Sequence, residues 1–130
     1  MSQEVLKIID NAMFFLGIEY GFVEYAGNRH GKVVYPYFVG EYQETEPYTE
    51  DGMQEATFLL TGFSRGSWLE LEEAKEKIEK HFNKVSGKVG ITSSGSAVAI
   101  FYAHSLIVPT GDAELKSIQI NLSIKEWKVN

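Results

Sequence analysis

The chain contains no cysteine, so disulfides and thiolate metal sites are closed to it. Histidine is scarce too. His30, His81 and His104 lie far apart, and no pair has the HxH or HxxxH spacing of a metal-ligand pair. Apolar runs are only a handful of residues long, well below the ~20 needed to span a bilayer. Met1-Ser2-Gln3-Glu4 lacks the basic opening of a secretory signal. Together these absences predict a soluble chain of the reducing cytoplasm that makes no membrane contact. Basic charge is also short, with twelve Lys and Arg against eighteen Asp and Glu and a net charge of −6. That sign is wrong for gripping phosphates, which predicts no specific nucleic-acid binding. Lys75, Lys77, Lys80, Lys84 and Lys88 do cluster, but the first three each have a glutamate within one turn. They read as a solvated helix face.

Catalytic signatures are missing as well. Ser93-Ser94-Gly95-Ser96 lacks the Gly-Lys-Ser/Thr that would follow in a phosphate loop. Ser64-Arg65-Gly66-Ser67 lacks the flanking glycines of a nucleophile elbow. The acidic stretch Glu44 to Gln54 has no Asp-x-Asp-x-Asp-Gly calcium pattern. The expectation is a chain that is not an enzyme and carries no cofactor and no metal. A small ligand-binding module is the alternative, with His104, Tyr102 and Glu126 as the raw material for a pocket.

What is present is an ordinary globular composition, 44% hydrophobic and 23% charged over 130 residues, which fits a single domain spanning 1–130. Val5, Ile9, Ala12 and Leu16, widened by Leu6 and Met13, predict a helix from Ser2 to Leu16. Ser2 is its expected N-cap, and Gly17 ends it. Phe14 and Phe15 fall outside that stripe. Either the helix is covered on more than one side, or an aromatic reaches a partner chain. Glu19 to Tyr25 is open between a short strand and an aromatic loop, and Gly27 to Gly31 is turn material.

Lys32 to Gln43 predicts a strand, and Pro36 within it favours a sheet edge where another subunit can pair. From Gln43 to Gln54, Glu44, Glu46, Glu50 and Asp51 with Pro47 and Gly52 predict an exposed loop, open between a binding role and a long hairpin tip of no consequence. Ala56 to Ser64 is apolar on both faces, with Phe58 and Leu60 on one and Leu59 and Phe63 on the other, which predicts an interior strand covered on both sides. Ser67-Trp68-Leu69-Glu70 spells a capping box. Leu71, Ala74, Ile78, Phe82 and Val85 carry the helix that follows, supported by Glu73–Lys77 and Glu76–Lys80 pairs. Ala97 to Val108 and Ile118 to Ile124 read as two further strands joined by a turn at Pro109 to Asp112, the second with one wet face. The predicted fold class is α+β: a mixed, mainly antiparallel sheet of about four strands with two helices packed on it.

One segment reaches beyond fold class. Tyr35-Pro36-Tyr37-Phe38-Val39-Gly40, an acidic loop, Glu55 to Ser64 and a helix opening at Ser67 resemble the tail-terminator (tail-completion) proteins of long-tailed bacteriophages. The length, the N-terminal helix and the C-terminal strand pair agree with that family. The resemblance implies a virion protein, made in the host cytoplasm, that forms a homo-oligomeric ring, commonly a hexamer. Such a ring caps the tail tube and meets the head connector, so its partners are itself, the tube protein and the connector protein. Another neck or tail component is the neighbouring alternative. The interaction residues expected on this view are Pro36, Tyr37, Glu44, Glu46, Tyr48, Glu50 and Asp51. Of these, Glu44, Glu46, Glu50 and Asp51 are the acids expected to face the channel or the partner rings.

Overall fold

A computed structural model describes residues 3–22, 35–44, 53–83, 87–91 and 95–127. Among these residues two helices, α1 (Gln3–Phe15) and α2 (Trp68–His81), pack on a sheet of six strands. The strands are β1 (Glu19–Phe22), β2 (Tyr37–Glu44), β3 (Met53–Ser64), β4 (Lys88–Ile91), β5 (Ala97–Ile107) and β6 (Lys116–Trp127). Their spatial order is β1-β2-β3-β6-β5-β4. Among the described strands the β1–β2 pairing is parallel and the other four are antiparallel.

The α+β class stands, and the sheet is larger than expected. The two added strands, β1 and β4, are four residues each and form its two edges. Each is short and carries a glycine, Gly21 in one and Gly90 in the other, which leaves too little sequence to show a period-2 pattern. Pairing with a neighbour, and not local propensity, makes them strands.

Both helices cover the same face. Val5, Ile9 and Met13 of α1 join Leu71, Ala74 and Ile78 of α2 in one core cluster with Phe38, Phe58, Leu60, Ile100, Ile120 and Leu122. The expected stripe on α1 is therefore the buried one, while Ser2 lies outside the described residues. Two glycines make room in this layer. A Cβ on Gly62 would collide with the Phe38 ring across the strand pair, and one on Gly40 would come within 2.7 Å of the Phe58 ring. Those positions let two aromatic rings lie over neighbouring backbone.

Several local expectations need correction. Pro36 does not interrupt a strand, because β2 begins one residue later, after a cis Tyr35–Pro36 peptide. Nor is β2 an edge, since β1 pairs on one side of it and β3 on the other. Lys32 to Val34 lie outside the described residues. β3 is interior as expected, between β2 and β6, but only one of its faces is covered. Ala56, Phe58, Leu60 and Gly62 are buried, whereas Thr57, Leu59, Thr61 and Phe63 are half-exposed on the helix-free face.

The capping box does not form. Ser67 is the N-cap residue but makes no side-chain cap hydrogen bond. The Ser64 hydroxyl instead donates to Glu70 Oε2 at 2.7 Å and accepts the Gly66 amide at 3.1 Å. The fully buried Ser64 thus anchors the start of α2 from the end of β3. Further along α2 the ion pair is Glu72–Lys75 at 3.4 Å, not Glu73–Lys77 or Glu76–Lys80. The helix ends at His81, and Val85 lies outside the described residues. In β5 the register with β6 shifts between Tyr102 and His104. On β6 the wet face is partly dry, because Ser117 and Asn121 are buried there.

Candidate interaction surface

Of the residues singled out for interaction, the structure places three. Pro36 lines a cleft of about 420 Å³ together with Gly17, Ile18, Glu19, Tyr35, Glu70, Glu73, Ala74 and Lys77. Tyr37 opens β2 on the helix-free face, stacked on Phe63 at 5.2 Å and tilted against Tyr35 at 5.4 Å. Burial raises its phenol pKa above the ordinary value, the Tyr35 phenol adds to that, and the Arg65 charge works against it. Glu44 ends β2, where its Oε2 accepts from Gln54 Nε2 at 3.0 Å. Residues 43, 44, 53 and 54 therefore belong to strands, and the loop expected over Gln43 to Gln54 is shorter. Glu46, Tyr48, Glu50 and Asp51 lie outside the described residues. Tyr37 and Glu44 are seven strand steps apart, ~23 Å at ~3.3 Å per residue. They sit at opposite ends of the hairpin and do not form one patch.

At the Tyr37 end, three distant segments meet. Arg65 Nε donates to the Tyr35 hydroxyl at 3.3 Å, and its Nη1 pairs with Asp112 Oδ2, also at 3.3 Å. The Tyr35 contact chiefly raises the guanidinium pKa. Asp112 is held below the usual carboxylate range, first by the Glu114 amide at 2.9 Å and then by Arg65. Thr110 closes the same turn by donating to the Leu115 carbonyl at 2.7 Å. This cluster joins the entry of β2, the exit of β3 and the β5–β6 turn. It is a clasp of exposed charges and hydroxyls that ties three segments together.

The raw material for a ligand pocket does not converge. Tyr102 is buried on the helix side and donates to Ser105 Oγ at 3.0 Å. His104 is exposed beyond the register shift. Glu126 is buried four residues along β6 from Leu122, the cross-strand partner of Tyr102. Among the described residues no group of three or more His, Asp or Glu side chains is placed to hold a metal ion. No described helix is long and apolar enough to cross a membrane.

Exposed apolar side chains are the more informative feature. Phe14 and Phe15 at the end of α1 are 88% and 78% exposed. Beside them Ile8, Asn11, Ala12, Phe15 and His81 line a groove of about 340 Å³ between the helices. Val89 and Ile91 on β4, and Leu106 and Ile107 at the end of β5, stand out from one sheet edge. At the opposite edge Phe22 flanks a hollow of about 200 Å³ formed with Leu6, Lys7, Asp10 and Tyr20. Burial, reinforced by Asp10, raises the Tyr20 phenol pKa far above its ordinary value, so that group stays protonated. Phe14 and Phe15 stand out in the sequence by breaking the helical stripe. The edge residues carry no such signal, because an apolar residue in a short strand looks the same whether its strand is central or terminal.

No protein-family model matches the chain, and none of the curated proteins compared with it does.

Proposed function

We propose that this chain is a non-catalytic structural subunit of a long-tailed bacteriophage: a tail terminator whose copies form a ring on the tail tube and meet the head connector. The observation that supports this reading most is the continuity of the segment that carries the resemblance. Within Tyr35 to Phe82, hairpin β2–β3 is followed directly by α2, and together they supply the middle of the sheet and half of its cover. Exposed Phe14, Phe15, Val89 and Ile91 add surface suited to contact with other chains. The net charge of −6 fits a conduit that DNA passes without sticking.

Two measurements test this. Native mass spectrometry of the purified chain, alone and mixed with the tube protein of the same phage, should show a closed oligomer of one stoichiometry. Electron microscopy should place that oligomer at tube ends, with tube growth arrested. A chain that stays monomeric and never decorates tube ends contradicts the proposal. A ligand-binding module is the second reading, favoured by the cleft at Tyr35, Glu70, Glu73 and Lys77. It predicts a monomer whose melting temperature rises with a small polar ligand.

A further inference from the structure

The two edges of the sheet differ in three ways that fit them to each other. The first difference is backbone pairing. β4 covers only Ala97 to Ile100 of β5. The Tyr102 amide then donates to the Phe82 carbonyl at 2.7 Å. From His104 to Ile107 the outer side of β5 has no strand partner among the described residues. At the far end of the sheet β2 is the one described strand that pairs with β1, and no described strand lies on the outer side of β1. Main-chain donors and acceptors seek partners, and open edges are where another chain adds.

The second difference is charge. From Lys80 to Gly111 the sequence holds Lys80, Lys84 and Lys88 and not one Asp or Glu, in a chain whose net charge is −6. This acid-free stretch contains all of β4 and β5. Across α1 and β1, from Gln3 to Phe22, three acids (Glu4, Asp10 and Glu19) face one lysine, Lys7. In composition, the stretch that holds one edge is free of acids and the stretch that holds the other is net acidic.

The third difference is shape. The β4–β5 edge presents exposed Val89, Ile91, Leu106 and Ile107, while the α1–β1 edge presents the hollow of about 200 Å³ between Leu6, Tyr20 and Phe22. One edge bears exposed aliphatic side chains, and beside the other lies a hollow with room for one.

We propose that successive copies of this chain join edge to edge, the β4–β5 edge of one against the α1–β1 edge of the next. The contact is heterologous, so repeated around an axis it closes into a ring or runs on as a filament. Strand addition supplies main-chain hydrogen bonds, and the opposed charges set the orientation and speed encounter. The pairing deepens the tail-terminator reading and rests on it only for closure into a ring.

Two variants test it. One carries Leu106→Asn and Ile107→Asn, which strip the exposed aliphatic side chains from the open β5 edge without adding charge to it; the other carries Asp10→Lys and Phe22→Lys, which reverse the charge beside the hollow and remove its aromatic wall. Circular dichroism first establishes that each is folded. Sedimentation velocity should then find each variant monomeric at concentrations where the unaltered chain assembles. Mixed one to one, they should form a species of twice the monomer mass, because each retains the edge the other lacks. Association of the unaltered chain should also weaken by roughly threefold or more between ~0.05 and ~0.5 M salt, as screening tightens to a few ångströms. Normal assembly by both variants overturns edge pairing and leaves the ring reading standing on another contact. A folded mixture that stays monomeric, or an unaltered chain that stays monomeric at low salt, also overturns it. Tube-end decoration then decides the phage reading separately. If a double variant does not fold, the salt titration decides alone, and salt-independent association counts against the proposal.

Discussion

The centre of the sheet and its edges are built on different terms. β3 and β6 share a ladder of twelve residue pairs without a break, and each has a second strand on its other side. Phe58, Leu60, Ile120 and Leu122 on these strands are fully buried under both helices. β1 and β4 have four ladder positions each, and exposed Phe22, Val89 and Ile91 project from them. Stability is concentrated where backbone groups are paired on both sides and every second side chain is dry. Association by edge pairing would fall to the four-residue β1 and to the open end of β5, both outside the doubly paired centre. A monomer can then exchange partners at its margins without disturbing its core.

The sharpest way to break this contrast is truncation at both places. Phe58→Ala should cost ~3–5 kcal/mol of unfolding free energy. Ile91→Ala, on an exposed edge, should stay within ~0.5 kcal/mol. Urea denaturation of the two variants measures the gap, and similar losses would erase the distinction between centre and edge. Gly62→Ala comes next. Its new Cβ meets the Phe38 ring, which is fully buried, so the core has to shift, at a cost of ~1–3 kcal/mol. The same substitution at Gly90 on β4, where a Cβ meets nothing within 4 Å, should leave the melting temperature unchanged.

A smaller effect separates two serines three residues apart. Ser64→Ala removes the buried hydroxyl that ties Glu70 and the Gly66 amide to the end of β3, and should cost ~1 kcal/mol. Ser67→Ala removes no cap bond and should cost only a few tenths of that. The reverse ranking would mean that the capping box, and not the Ser64 anchor, holds α2 in solution.

The smallest effect belongs to the clasp. Asp112 has a folded-state pKa below its unfolded value, so its contribution is present above the unfolded pKa and is lost as pH falls through the folded one. Asp112→Asn should therefore lower the melting temperature slightly at neutral pH. The difference from the unaltered chain should vanish in acid, below the ordinary carboxylate range. A difference that persists there would place the effect of the substitution elsewhere.

Much of the centre is legible in the sequence, and little of the margin is. The stripe through Val5, Ile9 and Met13 and the alternation of Ile118, Ile120, Leu122 and Ile124 are long enough for period to reveal burial. Pro36 misleads because a proline just before a strand and one inside an edge strand look alike in sequence. The neighbouring β1 is only four residues long, so the parallel pairing that makes β2 interior leaves no pattern. Ser67 and Glu70 have the right spacing for a box, but the sheet already positions Ser64 to take the carboxylate. For the candidate surface, Phe14 and Phe15 are visible as misfits in a helical stripe. The charge difference between the two edges is present in composition too, but it acquires meaning only when the topology puts β4–β5 and α1–β1 at opposite ends of one sheet.

Hydrogen exchange on the purified chain, compared between dilute and concentrated protein, tests the division between a stable centre and associating edges most directly. On concentration, the outward-facing amides within residues 19–22 and 104–107 should slow together, while those of β3 and β6, already protected, should not change. Protection gained on the exposed helix faces alone, or exchange independent of concentration at both edges, would contradict it.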